Sequence, residues 1–177
     1  MAAPYYPESL WNEILPGLFQ GGTEEADELG GFLSSAPHGL KAWQAEEYIA
    51  ETRIRAQDFD TVITAFAHSN PCGIGVKELR YAFMDGNMSD FKPEQDLVWL
   101  VREAHTDWRA GKKVLIRCQA GINRSGLIMA LVLIKEGYSP EDAIKLIREK
   151  RCESALTNEK FANWLQEFAD VDFWRSI

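Results

Sequence analysis

The sequence predicts an α/β fold, a single domain with a mostly parallel central sheet flanked by helices. Three observations carry that reading. Short apolar runs of strand length alternate with longer segments of helical period, the pattern of a sheet covered by helices. A chain of 177 residues suits one domain with a sizeable core. No repeat, low-complexity tract or Ser/Gly linker divides it, so residues 1–177 are read as one unit behind an N-terminal tail of residues 1–10.

The elements follow in order. NEILPGLFQGG (12–22) has apolar residues punctuated by Pro and Gly, which predicts short strands or a hairpin at a sheet edge. From about Leu40 to Arg55, Trp43, Tyr48, Ile49 and Ile54 recur among charged residues as on an amphipathic helix. TVITAF (61–66) and ELRYAFM (78–84) are strand candidates. Leu97, Leu100, Val101, Ala104 and Trp108 share one helical face, and Gly111 ends that helix. VLIR (114–117) is a short buried strand, and RSGLIMALVLIKEG a buried helix closing at Gly137. In SPEDAIKLIREK, Ser139 caps, Pro140 takes the first turn, and acids precede bases. A last helix is predicted from about Asn158 to Phe168.

Composition narrows the function. Apolar content of 46% and charged content of 26% are those of a soluble globular protein. The longest apolar run, Leu127 to Ile134, is too short to cross a bilayer, and MAAPYYPESLW lacks the features of a signal peptide. A cytoplasmic location, no membrane and a monomer are the default expectations. The net charge of −8 has no basic block, which counts against nucleic acid as a partner. Cys72, Cys118 and Cys152 show no paired spacing, so neither a disulfide framework nor a zinc site is expected. Cys152 reads as a buried hydrophobe, the six tryptophans as core and packing residues, and His38, His68 and His105 have no partner at metal spacing.

The chemistry lies in CQAGINRS (118–125), between a buried strand and a buried helix. That is where open α/β sheets collect ligands. A helix N-terminus presents unsatisfied amides and a partial positive charge, both suited to an anion. Gly121 lets the backbone of Gln119, Ala120, Gly121, Ile122 and Asn123 curl into a nest of inward amides, and Arg124 adds a planar fork for phosphate oxygens. Cys118, under the same nest, is favoured as a thiolate nucleophile, and Ser125 can donate to its sulfur when that sulfur leaves.

VLIRCQAGINRSGLIMALVLI resembles the signature of the cysteine-dependent protein tyrosine phosphatases, most closely the small dual-specificity branch. EILPGLFQGG, FDTVITAF, YAFMDGNMSDF and REKRCESALTNEKFANWL resemble that branch's first strand pair, next strand, general-acid segment and closing helices. The loop lies late in the chain with acidic candidates upstream, as in that branch and unlike the low-molecular-weight phosphatases. The resemblance implies a dual-specificity-phosphatase-like fold and a phosphocysteine intermediate. It also implies no metal or other cofactor, and a phosphorylated protein or peptide as substrate. A chain shorter than the tyrosine-specific domains implies a shallower pocket, open to phosphoserine and phosphothreonine as well as phosphotyrosine.

An ester oxygen must be protonated as it leaves, so a general acid is required. Asp85 and Asp90 both follow the second strand candidate. Asp85 is favoured because it sits at a strand end, a little over thirty residues before Cys118 as in the family, whereas Asp90 reads as the cap of a helix starting near Phe91 to Glu94. Asn158, near the start of the last helix, reads as structural.

Two features depart from the family. Arg117 stands where the residue before the nucleophile is usually His. It either substitutes through its charge or points away, since strand residues alternate faces. The segment 22–58 is longer than usual. It reads as a surface helix on the core or as an extended substrate-recognition segment. Cys72 is either an ordinary loop residue or a redox partner for Cys118. Two other functions stay open. GINRSG also resembles the loop of metal-independent RNA 5′-triphosphatases, although the acidic balance and the loop's lack of further cations speak against RNA and inositol phosphates. A phosphoprotein-binding pseudophosphatase is the third reading, disfavoured because Cys118 and Arg124 are both present.

Overall fold

The computed structural model describes residues 3–23 and 54–177. Five strands form one sheet: β1 (Trp11–Leu15), β2 (Leu18–Gly21), β3 (Thr61–Thr64), β4 (Lys77–Arg80) and β5 (Val114–Arg117). Their spatial order is β1-β2-β5-β3-β4, and only β1 runs antiparallel to its neighbour. The expected hairpin is therefore β1–β2, turned at Gly17, whose φ of 80° suits glycine. The predicted strand 78–84 is shorter than its apolar pattern, because after Arg80 the chain leaves the sheet. Tyr81 and Phe83 instead pack on the core.

Strand β5 is central and buried along its length. Alternation splits its side chains between two layers. Val114 and Ile116 join the main core, while Leu115 packs with Ile54, Phe59 and Val62 on the other face.

The helices among the described residues are α1 (Pro93–Asp96), α2 (Val98–Arg109), α3 (Arg124–Glu136), α4 (Pro140–Lys150), α5 (Glu159–Asn163) and α6 (Val171–Ser176). Every residue of α3 from Ser125 to Ile134 is buried, which is why its sequence lacks a polar face. Gly137, at φ 118°, closes it and donates to the carbonyls of Leu133 and Ile134. Ser139 caps α4, its Oγ accepting from the Asp142 amide at 3.1 Å.

Three expectations are corrected. Asp90 does not cap the following helix. It ends a single 3₁₀ turn, Met88–Asp90, and its Oδ2 accepts from the Asn87 amide. The start of α1 is served instead by Asp96, which accepts from the Lys92 amide. The closing helix becomes a π turn at Trp164–Phe168, where the Ala169 amide reaches back to the Trp164 carbonyl, and α6 follows. Trp99 is surface-exposed rather than a core residue. Residues 40–53 of the predicted helix, including Trp43, lie outside the described residues, as do His38 and residues 24–53 of the segment 22–58; the described end of that prediction, Ile54 and Arg55, is not helical.

Asp107 locks the base of the sheet. Its buried carboxylate accepts from Thr61 Oγ1 on β3, Lys77 Nζ on β4 and Lys112 Nζ beyond α2. Burial alone would raise the carboxyl, but hydrogen bonds from Lys112, Lys77 and Thr61 outweigh it and hold it at about 2. Because this lies below the unfolded value, the stabilisation is complete above about pH 4 and is lost as pH falls towards 2. Asp107→Asn should lower stability to urea by about 1–3 kcal/mol at neutral pH. The gap to wild type should close between about pH 4 and pH 2. A gap that stays constant over that range would refute the assignment.

Candidate active site

Cys118 stands directly beyond β5, and α3 begins at Arg124, so residues 118–123 must reverse the chain in one tight loop. Gly121 makes this possible with φ 70°. A Cβ there would stand 2.4 Å from the Gly21 carbonyl carbon and 2.6 Å from Arg151 Nη2, so no other residue fits without displacement.

The loop's carbonyls from Gln119 to Ile122 find donors outside it. Gln119 O accepts from the Thr23 amide, and Ile122 O from the Leu156 amide. Ala120 O accepts from Arg151 Nη2, and Gly121 O from Arg151 Nε and Gln20 Nε2. Carbonyls engaged on the outer side are what an anion nest of backbone amides requires. Arg151 is buried and was assigned no role from sequence. Nothing local marks it, because its partners lie 30 and 31 residues away. Gln20 escaped notice for the same reason.

Cys118 is 2% exposed and forms the floor of a cavity of about 170 Å³. Its thiol donates to Ser125 Oγ at 3.3 Å, and the same hydroxyl can donate in return to a thiolate. Arg124 borders the cavity with its guanidinium carbon 5.1 Å from the Phe66 ring centroid. Its Nη atoms make long bonds to Phe83 O and Gln119 Oε1, at 3.4 and 3.3 Å, and its buried Nε has no protein acceptor. Among the described residues lining the cavity, Arg124 is the only Arg or Lys. A larger cavity of about 620 Å³, between α4 and Gln166, has no cysteine, serine or threonine among its described lining residues.

Asp85 lines the same cavity as Cys118. Asn123 Nδ2 donates to its Oδ2 at 3.0 Å, and Asn158 Nδ2 to its Oδ1 at 2.9 Å. Asn123 Oδ1 in turn accepts from the Asn158 amide at 3.0 Å. Asn158 also caps α5 by accepting from the Lys160 amide. It is structural as read from sequence, and it holds Asp85 as well. Asp90 is absent from the cavity lining. The side chain of Ile122 packs on the core, so this residue can serve the nest only through its backbone.

Arg117 points away from Cys118. Its buried side chain donates to Thr64 Oγ1, Asn70 O and Glu78 Oε1 at 3.0, 2.7 and 3.1 Å. Burial works to raise the Glu78 carboxyl, but hydrogen bonds from Thr64 and Cys72 together with the Arg117 and Arg80 charges hold it below its usual value. Cys72 packs beside this group, on the sheet face opposite the core that includes Cys118. Burial pushes its thiol up to about 11, which makes it a poor redox partner. Cys72, Cys118 and Cys152 are free thiols, and Cys152 is fully buried.

Known proteins resemble this chain in sequence and in fold. The family model "Dual specificity phosphatase, catalytic domain" matches residues 44–171. Human protein tyrosine phosphatase type IVA 3 is 32% identical over 94 residues, covering 53% of each chain. The chain thus spans about half the length of that relative. Putative tyrosine phosphatase 123R of invertebrate iridescent virus 6 is 30% identical over 112 residues, 62% of this chain and 75% of the viral one. The crystal structure of human DUSP28 superposes with a TM-score of 0.63 at 22% identity, covering 93% of this chain and 94% of that one, a likeness of fold.

The outward clamp is directly testable. Arg151→Met strands the carbonyls of Ala120 and Gly121, at a cost of about 2–4 kcal/mol, or roughly 5–15 °C in melting midpoint. Inorganic phosphate should stabilise wild type but not the variant. A variant that melts like wild type and keeps the phosphate response would exclude the clamp.

Proposed function

The chain belongs to the dual-specificity phosphatase family, and on that premise we propose that it is a metal-independent phosphatase. It hydrolyses phosphotyrosine, and also phosphoserine and phosphothreonine, in proteins through a phosphocysteine intermediate. The observation that carries this reading is the convergence of Cys118, Arg124 and Asp85 on the lining of one small cavity.

In the first step the Cys118 thiolate attacks phosphorus as the ester bond breaks. The loop amides from Gln119 to Arg124 and the Arg124 fork hold the three remaining oxygens, where charge accumulates. Asp85 gives its proton to the leaving oxygen, so that an alcohol or phenol departs. In the second step Asp85 takes a proton from water, the water oxygen attacks phosphorus, and the sulfur leaves. Ser125, 3.3 Å from that sulfur, donates to the departing thiolate. Asn123 and Asn158 act as positioning residues for Asp85. A cavity with Arg124 as its only Arg or Lys among the described residues suits one phosphoryl group better than a triphosphate or an inositol polyphosphate.

Turnover of p-nitrophenyl phosphate should persist in chelator and vanish in Cys118→Ser. With a phosphotyrosine peptide, Asp85→Ala should lower kcat by roughly 10²–10⁴-fold while leaving binding intact, and Asp90→Ala should stay near wild type. Loss in Asp90→Ala with full activity in Asp85→Ala would overturn the acid assignment. Peptide binding without turnover by the wild type would point instead to a phosphoprotein-binding module.

A further inference from the structure

The N-terminal segment is tied down across the mouth of the cavity. The Glu153 amide donates to Pro4 O at 2.8 Å, and the Ser154 amide to Tyr5 O at 3.0 Å. Further along, Arg151 Nη1 donates to Ser9 O and Asn12 Oδ1, at 2.6 and 2.5 Å. This is the same guanidinium that holds the carbonyls of Ala120 and Gly121. One buried side chain therefore fixes the N-terminal strap and the phosphate loop relative to each other.

The strap brings Tyr5 and Tyr6 to the cavity that Cys118 floors. Their rings stand edge to face, with centroids 4.8 Å apart at 83°. They are 58% and 65% exposed, although the backbone that carries them is held. Aromatic rings held at a cavity mouth with most of their surface uncovered are suited to contact with a ligand ring.

We propose that Tyr5 and Tyr6 form a raised aromatic wall that selects phosphotyrosine over phosphoserine and phosphothreonine. The inference rests on the phosphatase reading above and narrows its substrate class. A phosphotyrosine carries its phosphate at the far end of a rigid ring. It reaches Cys118 while the peptide backbone stays above the wall, and its ring lies against Tyr5 or Tyr6 on the way. A phosphoserine or phosphothreonine carries its phosphate close to the main chain, so the backbone would have to descend past the wall and would gain no ring contact. The wall thus offsets the shallowness that chain length alone implies.

The test measures binding on Cys118→Ser protein, which cannot turn substrate over. A phosphotyrosine peptide and its phosphothreonine counterpart are titrated calorimetrically against three forms: Tyr5 and Tyr6 intact, Tyr5→Phe/Tyr6→Phe, and Tyr5→Ala/Tyr6→Ala. The intact and phenylalanine forms should prefer the phosphotyrosine peptide, and the alanine form should lose about three- to tenfold of that preference, the scale of one aromatic pair. Equal weakening for both peptides would mean that the strap only supports the fold, and the proposal fails. It fails equally if the intact form shows no preference or binds neither peptide. Failure of the wild type to turn over p-nitrophenyl phosphate would sink the phosphatase reading itself, so the two are told apart.

Discussion

The site depends on one close approach, that of Gly121 to the end of β2. The loop backbone comes so near Gly21 that not even a methyl group fits between them. At that distance the Gly121 carbonyl lies within reach of both Gln20 and Arg151. The parallel β2–β5 pairing, with Gly21 opposite Arg117, sets that distance. Sheet register, the glycine and the buried arginine thus act as one constraint, and Cys118 inherits its position from all three.

Strand alternation separates this centre from the other unusual group in the molecule. Arg117 and Cys118 are consecutive, yet they serve opposite faces of the sheet. A buried guanidinium is costly unless its donors are met, and here Thr64, Asn70 and Glu78 meet them. The family's histidine position is therefore occupied by a residue that braces β3, β4 and β5 from behind. On the other face the groups beside Cys118 are Ser125 and the cavity-lining Arg124 instead.

Much of this was legible in the sequence, for a stated reason. The strand VLIR, the all-apolar helix after it and the CQAGINRS loop are local patterns whose period or residue types have one physical reading. Asp85 is favoured from sequence for a strand end, yet the strand stops at Arg80, and it is the Asn123 and Asn158 side-chain amides that hold its side chain beside the cavity. Arg151, Gln20 and the double role of Asn158 were not legible, because each acts through partners that only the topology brings near. Asp90 misled because an aspartate before a helix has two capping choices. The tight turn behind it won, through its bond to Asn87.

Leu156 shows how far the fold bends to hold these parts together. It takes φ 56°, the one non-glycine residue at positive φ among those described, a conformation that costs about 1–2 kcal/mol. Its amide donates to Ile122 O in the phosphate loop. Its side chain crowds Gly126 so closely that a Cβ there would lie 2.9 Å away, and Arg148 grips its carbonyl at 3.1 Å. Three contacts thus hold a residue that local preference would release. The next two residues, Thr157 and Asn158, are those that hold Asn123, and through Asn158 also Asp85. The strained leucine is the joint at which the 118–123 loop and Asp85 are brought together.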